Sequence, residues 1–486
     1  MGRGRLGAAT ALGLLLAASA AAADIRTAPL EPEPAGFRAD VPARLARIAT
    51  AAAALAPPAF RPGPVEIIDA AAAAALRKSF IGTVRAAGSW SGRAIRVGGG
   101  VWPLDRLAGT VADPALLACD RGGCELKAPI LIEAGATLHI GAAAGSAELR
   151  FSQPHGAFIA SHGLLLVLHA SLSGRDADGR PAATDGPAFR PFLLVYDTGR
   201  LVVASSRLAH MGYDAPSAYG VTLTTTERAG EPSARPSALL HDSVFRDLYY
   251  GFYSHGAEAV DIAGNRYIDN IHYGIDPHDD SRDLAIVGNV VQDTRIAHGI
   301  IASRRVSGIV VDGNRSIGNA GAGIALDRGV TGALITDNLV TGNGSNGITV
   351  YESHDSTIAG NRIVGNGRSG IRLRQAAGIR IVGNLIVGNG RHGLEASNRT
   401  PEREATPEEA GFARPVALTL AGNRFADNAL SACTLKGIFR LDLLPPPAGG
   451  PLAPCGEAAS LGGDKSWIEA LTAASQRREP LRLELR

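Results

Sequence analysis

The chain has 486 residues, 45% of them hydrophobic, and a formal net charge of +2. So even a balance excludes binding nucleic acid through a global basic field, while the apolar content is ample for one continuous core. Length alone suggests about three domains, but an internal repeat overrides that count.

Arg3 and Arg5 precede an apolar stretch from Leu6 to Ala18, and Ala21-Ala22-Ala23 stands before Asp24. This is the pattern of a signal peptide over residues 1–23, too short to cross a bilayer. It predicts export, with no membrane span after cleavage. Residues 24–124 read as an irregular Ala/Pro-rich region. Leu45 to Leu55 and Ala70 to Phe80 are predicted helical there, separated by Pro-Pro and Arg-Pro-Gly-Pro breaks. Four cysteines in an exported chain allow three pairings, of which Cys119–Cys124 and Cys433–Cys455 are the local ones. No Cys/His metal-ligand spacing appears.

From Pro129 short β-branched runs replace helical text, and residues 125–430 are assigned to a solenoid. Asn265, Asn289, Asn314, Asn338, Asn361, Asn384 and Asn423 each follow an apolar-x-Gly/Asp phrase; the first six are 24, 25, 24, 23 and 23 residues apart. A second marker runs in phase, Gly-Phe at 251, Gly-Ile at 274, 299, 323, 347 and 370, and Gly-Leu at 393. Repeats of roughly 20–29 residues point to solenoids, and no helix-period segment fits inside these. The expectation is an all-β right-handed parallel β-helix with one coil per repeat. Each asparagine is expected at a left-handed turn, its amide bonded to the next in a stacked ladder. Charged residues 399–412 interrupt the repeat. Residues 431–486, with a helical reading over Trp467 to Arg477, are expected to cap the stack.

Aligned on the glycine marker, His255, His278, Ser303, Asp327, Tyr351 and Arg374 fall in one column. Gly256, Asp279, Arg304, Arg328, Glu352 and Gln375 fall in the next. Coils stack at about 4.8 Å, so these residues form a polar strip suited to an extended polymer, one sugar unit to a coil. A solvated turn face is the bland reading of any single residue. The strip as a whole, with Asp276-Pro277-His278-Asp279 in it, reads as a binding groove. The arginine forks of Arg304, Arg328 and Arg374 select carboxylates. A histidine between two aspartates, beside an arginine one coil on, is the pair needed to remove a proton α to a carboxylate. The base has a pKa near working pH, and the cation steadies the enolate-like intermediate. The aspartates raise the His278 pKa and Arg304 lowers it.

Residues 269–279, Asp-Asn-Ile-His-Tyr-Gly-Ile-Asp-Pro-His-Asp, closely resemble the signature of periplasmic mannuronan C5-epimerases of bacterial alginate biosynthesis. The likeness extends through residues 298–304, 323–328 and 347–353, and upstream through Pro191 to Tyr196 and Tyr250 to Tyr253. It covers roughly 190–395 well and the ends weakly. It implies that His278 is the catalytic base and that Arg304 neutralises the substrate carboxylate. Water would be the acid on the opposite face. Asp276, Asp279, Asp327, Arg328, Tyr351, Glu352 and Arg374 are the candidates for binding or orienting substrate. The resemblance further implies polymannuronate as substrate, a periplasmic setting and other alginate-export components as partners. Asp280 stands where that family pattern carries an arginine.

Two rivals remain. A polyuronate lyase shares the first proton abstraction and then expels the 4-O substituent. A non-catalytic export scaffold would use the same groove only to hold the polymer. No cofactor or metal is expected. Asp276, Asp279, Asp280 and Asp283 tempt a calcium reading, but Arg304 already supplies the positive charge and the Gly-Gly-x-Gly-x-Asp repeat of calcium-binding β-rolls is missing.

Overall fold

Each repeat carries three short apolar runs, too short and too interrupted by Gly and Asn for helix. Each run pairs with its counterpart one repeat later. In the computed structural model the chain winds as a right-handed parallel β-helix built from sheets of 15, 14 and 13 strands. Residues 24–26, 40–73, 76–141, 147–184, 189–226, 234–398, 411–444, 473 and 480–484 are described. The expected signal segment, most of the charged insertion, and all but residue 473 of the expected C-terminal helix lie outside them.

One coil places Tyr273–His278 in the 14-stranded sheet, Arg282–Val287 in the 15-stranded sheet and Val290–Gln292 in the 13-stranded sheet. The next coil repeats this with Ile300–Ser303, Ser307–Asp312 and Arg315–Ile317, in register Ile275 to Ile300, Ile286 to Val311 and Val291 to Ser316. The isoleucine of each marker points inward: Ile275, Ile300, Ile324, Ile348 and Ile371 are at most 1% exposed. Each such side chain contributes about 1.5–3 kcal/mol by burial. One coil alone cannot bury its inner face, so neighbouring coils supply the stability. The marker glycine is set by a close approach. A Cβ on Gly347 would lie 2.3 Å from Ile363 Cγ2 and 2.6 Å from the Gly370 carbonyl oxygen.

The asparagine ladder forms as expected. Asn289 Nδ2 donates to Asn314 Oδ1 at 3.0 Å, Asn314 to Asn338 at 3.0 Å and Asn338 to Asn361 at 2.9 Å, all buried. Its backbone conformation differs from the expectation. The left-handed residue is the one before each asparagine: Gly264, Gly288, Gly313, Asp337, Gly360, Gly383 and Gly422. Glycine carries no Cβ penalty there, which leaves the asparagine side chain free to turn inward. A second ladder, Asn319 to Asn343, Asn366, Asn389 and Asn428, lines another turn.

The N-terminal part is more ordered than its composition suggests. Val65–Asp69 pairs antiparallel with Arg93–Val97, which pairs parallel with Ile130–Ile132, so residues before Pro129 already extend the sheets. The first helix runs Asp40–Ala53, near its expected place; the second is Lys78–Ala86, displaced from Ala70 to Phe80, and Leu104–Val111 is a third. The displacement has a local cause: Asp69 caps a single short turn at Ala70–Ala72, and the chain leaves it in extended conformation at Ala73. The first helix lies on the 15-stranded sheet. Its Ile48 meets an apolar row including Leu166, Val202 and Leu239, and Arg44 pairs with Asp261 and Asp283. Cys119 and Cys124 form a disulfide; Cys433 is also disulfide-bonded. At the other end Arg440–Leu444 pairs antiparallel with Leu481–Glu484. No helix among the described residues is long and apolar enough to cross a membrane.

Candidate active site

The outer face of the 14-stranded sheet carries the polar strip. Its register is the one the repeats imply: His255 pairs with His278, His278 with Ser303, Ser303 with Asp327, Asp327 with Tyr351 and Tyr351 with Arg374. Immediately after each strand the chain turns through a left-handed residue, Asp279, Arg304, Arg328, Glu352 or Gln375 (φ 34° to 57°). These non-glycine residues hold a strained conformation, a feature that recurs at functional sites.

His278 ends the strand Tyr273–His278, and Pro277 before it fixes the backbone. The turn at Asp279 brings its Oδ2 to 2.6 Å from His278 Nδ1. The carboxylate accepts from Nδ1–H, which leaves the Nε2 lone pair as the basic atom. Burial pulls the His278 pKa down. The Asp279 hydrogen bond and the Asp276 and Asp279 charges push it up, Arg304 opposes them, and the balance lies above the ordinary imidazole value. The contest left open by the residues alone thus goes to the aspartates.

Asp276 faces outward two residues before His278, 2% exposed. Burial pushes its carboxyl up to about 7, and His278 partly offsets that. Its Oδ1 has no hydrogen-bond partner in the protein, and neither does the buried Nε of Arg304 in the turn one coil on. Buried polar atoms are rarely left unpaired. Two of them lie near one histidine, on its own strand and in the turn one coil on.

The groove in front of His278 is lined by Asp276, Asp327, Arg328 and Tyr351 from the expected set. Asp279 and Arg304 occupy the turns that follow their strands, next to the lining residues His278 and Ser303. Arg328 is bonded to Asp327 through Nε and Nη2, both at 2.7 Å. Glu352 and Arg374 pair with each other at 3.4 Å, and Arg374 stacks over Tyr351 at 4.2 Å. Asp280 is clasped by both sides of the Arg305 fork at 2.7 and 2.9 Å, which neutralises the charge its departure from the family pattern introduces.

Sequence reasoning missed an aromatic wall. Tyr219, Tyr250, Tyr253 and Tyr273 line the groove, with Tyr219 stacked on Tyr250 at 4.5 Å and Tyr253 at 5.7 Å from the His278 ring. Burial, with the neighbouring carboxylates, holds the Tyr253 phenol far above its ordinary value and the Tyr273 phenol at about 12, so both remain proton donors. His298 also lines the groove. Its Nδ1 accepts from the Ala322 amide at 2.9 Å and burial lowers its pKa, so a neutral ring keeps its proton on Nε2. Tyr273 and His298 stand just before the marker glycine, and Tyr219 lies in a loop; only a second reading frame along the repeat would have found the first two.

Among the described residues no group of three or more His, Cys, Asp or Glu side chains converges as a metal site. Asp280 is turned to Arg305 and Asp283 to Arg44, which scatters the acidic cluster.

Residues 209–406, under half of the chain, match the family described as "Periplasmic copper-binding protein (NosD)". The stretch holds no cysteine, and its one methionine, Met211, is fully buried in the core. Among curated proteins the chain is 42% identical over 274 residues to the mannuronan C5-epimerase AlgG of Azotobacter vinelandii, covering 55% of this chain and 51% of that one. It is 37% identical over 232 residues to the mannuronan C5-epimerase of Pseudomonas aeruginosa, covering 47% and 42%. The matches therefore span about half the length of these relatives. A solved structure, the periplasmic alginate epimerase AlgG, superposes with a TM-score of 0.70 at 29% identity, over 85% of this chain and 99% of that one. The expected likeness to mannuronan C5-epimerases is thus found in sequence and in structure.

Proposed function

We propose that this protein epimerises β-D-mannuronate to α-L-guluronate at C5 within a polymannuronate chain, in the periplasm. The observation that carries the reading is His278, oriented by Asp279 and flanked by the unpartnered Asp276 Oδ1 and Arg304 Nε, on a groove of repeating coils. His278 Nε2 takes the C5 proton. Arg304 meets the carboxylate on which negative charge accumulates, and reprotonation from the opposite face inverts C5. Asp327, Arg328, Tyr351, Glu352 and Arg374 bind or orient the neighbouring uronates. Components of the alginate export machinery are the expected partners, since the polymer must pass through the same compartment.

Proton NMR of polymannuronate incubated with the purified protein tests the reading. Guluronate signals are expected from the wild-type protein and none from His278→Ala. A rise in ultraviolet absorbance with falling chain length, from unsaturated ends, would replace the epimerase with a lyase. Polymer binding without either change would leave an export scaffold.

A further inference from the structure

The groove is not equally open on the two sides of His278. One outward row of the 14-stranded sheet runs in register through Leu131, Ala160, Leu194, Thr222, Tyr253 and Asp276. Its first three members are not groove. They lie within an apolar cluster that includes Phe80 of the Lys78–Ala86 helix, Phe158, Phe192 and Tyr213. Phe158 and Phe192 stack at 4.5 Å, and Phe80 packs on Phe192 at 5.2 Å. Thr222 is wholly buried too. The loop after Met211 folds across this row, with Ala215 and Ala218 in the cluster, and delivers Tyr219 to the groove rim. A helix and a loop therefore wall off the strip from about two coils before the catalytic strand.

On the other side no helix or apolar cluster among the described residues covers the row in this way. It continues in register through Ile301, Ala325, Thr349, Arg372 and Glu395, and six strands of the same sheet follow Tyr273–His278. Ile301, Ala325 and Thr349 line the open groove. At about 4.8 Å per coil, the blocked side has room for about two sugar units and the open side for several.

We infer that substrate is held asymmetrically: the reacting uronate has at most about two neighbours bound towards the walled end and several towards the open end. This rests on the epimerase reading. The aromatic wall makes the position of the reacting unit a property of the scaffold, so that a short oligomer is read from one end.

Oligomannuronates of eight units, tagged at the reducing end, are incubated with the protein in deuterated water. Each unit whose C5 is deprotonated and reprotonated then takes up deuterium, and tandem mass spectrometry locates it. Deuterium is expected near one end only, the same end in every molecule, with the last four units of the other end unlabelled. Label centred in the chain, or spread evenly along it, would overturn the asymmetry while leaving the epimerase intact. Label in no unit would overturn both.

Discussion

Asp279 Oδ2 lies 2.6 Å from the Nδ1 of His278, its neighbour in the chain, because the backbone turns left-handed at Asp279. Two adjacent residues on an extended strand point to opposite faces; the turn is what lets this carboxylate reach back to the ring. The pair sets both the tautomer and the basicity of the proposed base.

A base acts in its unprotonated form, so activity falls as pH drops through the His278 pKa, which lies above the ordinary imidazole value. Replacing Asp279 by Asn removes the hydrogen-bonded anion that raises it and leaves burial, which lowers it. The acid limb of kcat/KM against pH is expected to move to lower pH in Asp279→Asn. An unmoved limb would show that another group controls the profile. His278→Ala should lose about 100-fold or more in kcat, the range for removing a positioned general base.

Arg304→Ala should cost about 100–1,000-fold in kcat, as for other groups that steady a developing anion. Because Arg304 Nε has no partner in the protein, the thermal midpoint should hardly change. A large fall in the midpoint would recast Arg304 as a structural residue. Arg328, already bonded to Asp327 in the groove wall, should act more on KM when changed to Ala.

On the proposed mechanism, in which Arg304 rather than an ion meets the substrate carboxylate, activity is expected to survive exhaustive treatment with EDTA. Turnover that dies on chelation and returns with calcium would move charge neutralisation from Arg304 to a metal.

Asn338→Ala should destabilise the protein by at least about 2 kcal/mol, since it strands buried donors on Asn314 and a buried acceptor at Val311. Denaturant unfolding measures it. Exchanging Asp280 for Arg sets two guanidinium groups against each other; the pair with Arg305 is 40% and 38% exposed, so the loss should stay within about 1 kcal/mol. Adding Arg305→Asp should recover most of it, and a double-mutant cycle with no coupling would dissolve the pair.

The coil period, the inward isoleucines and the polar column could be read directly, because a repeat of fixed length forces equivalent residues to stack. His278, Asp276 and Asp327 were legible for that reason. The left-handed position was misassigned by one residue, since asparagine and glycine both tolerate it and only the ladder geometry shows which one needs its side chain elsewhere. The covering cluster with Phe80 and Tyr213, and Tyr219 at the groove rim, escaped notice because they come from segments outside the repeat, and periodicity carries no information about what folds back onto a strand.

Two of the three sheets also end, on one side, in a strand of reversed direction, Val65–Asp69 and Leu117–Asp120. A parallel stack offers its last rung as a template for another identical rung, the route by which such ladders grow into fibres. A reversed rung presents a different hydrogen-bond pattern to any newcomer. The same strands that finish the solenoid there therefore oppose its end-to-end polymerisation, which would matter most at high concentration.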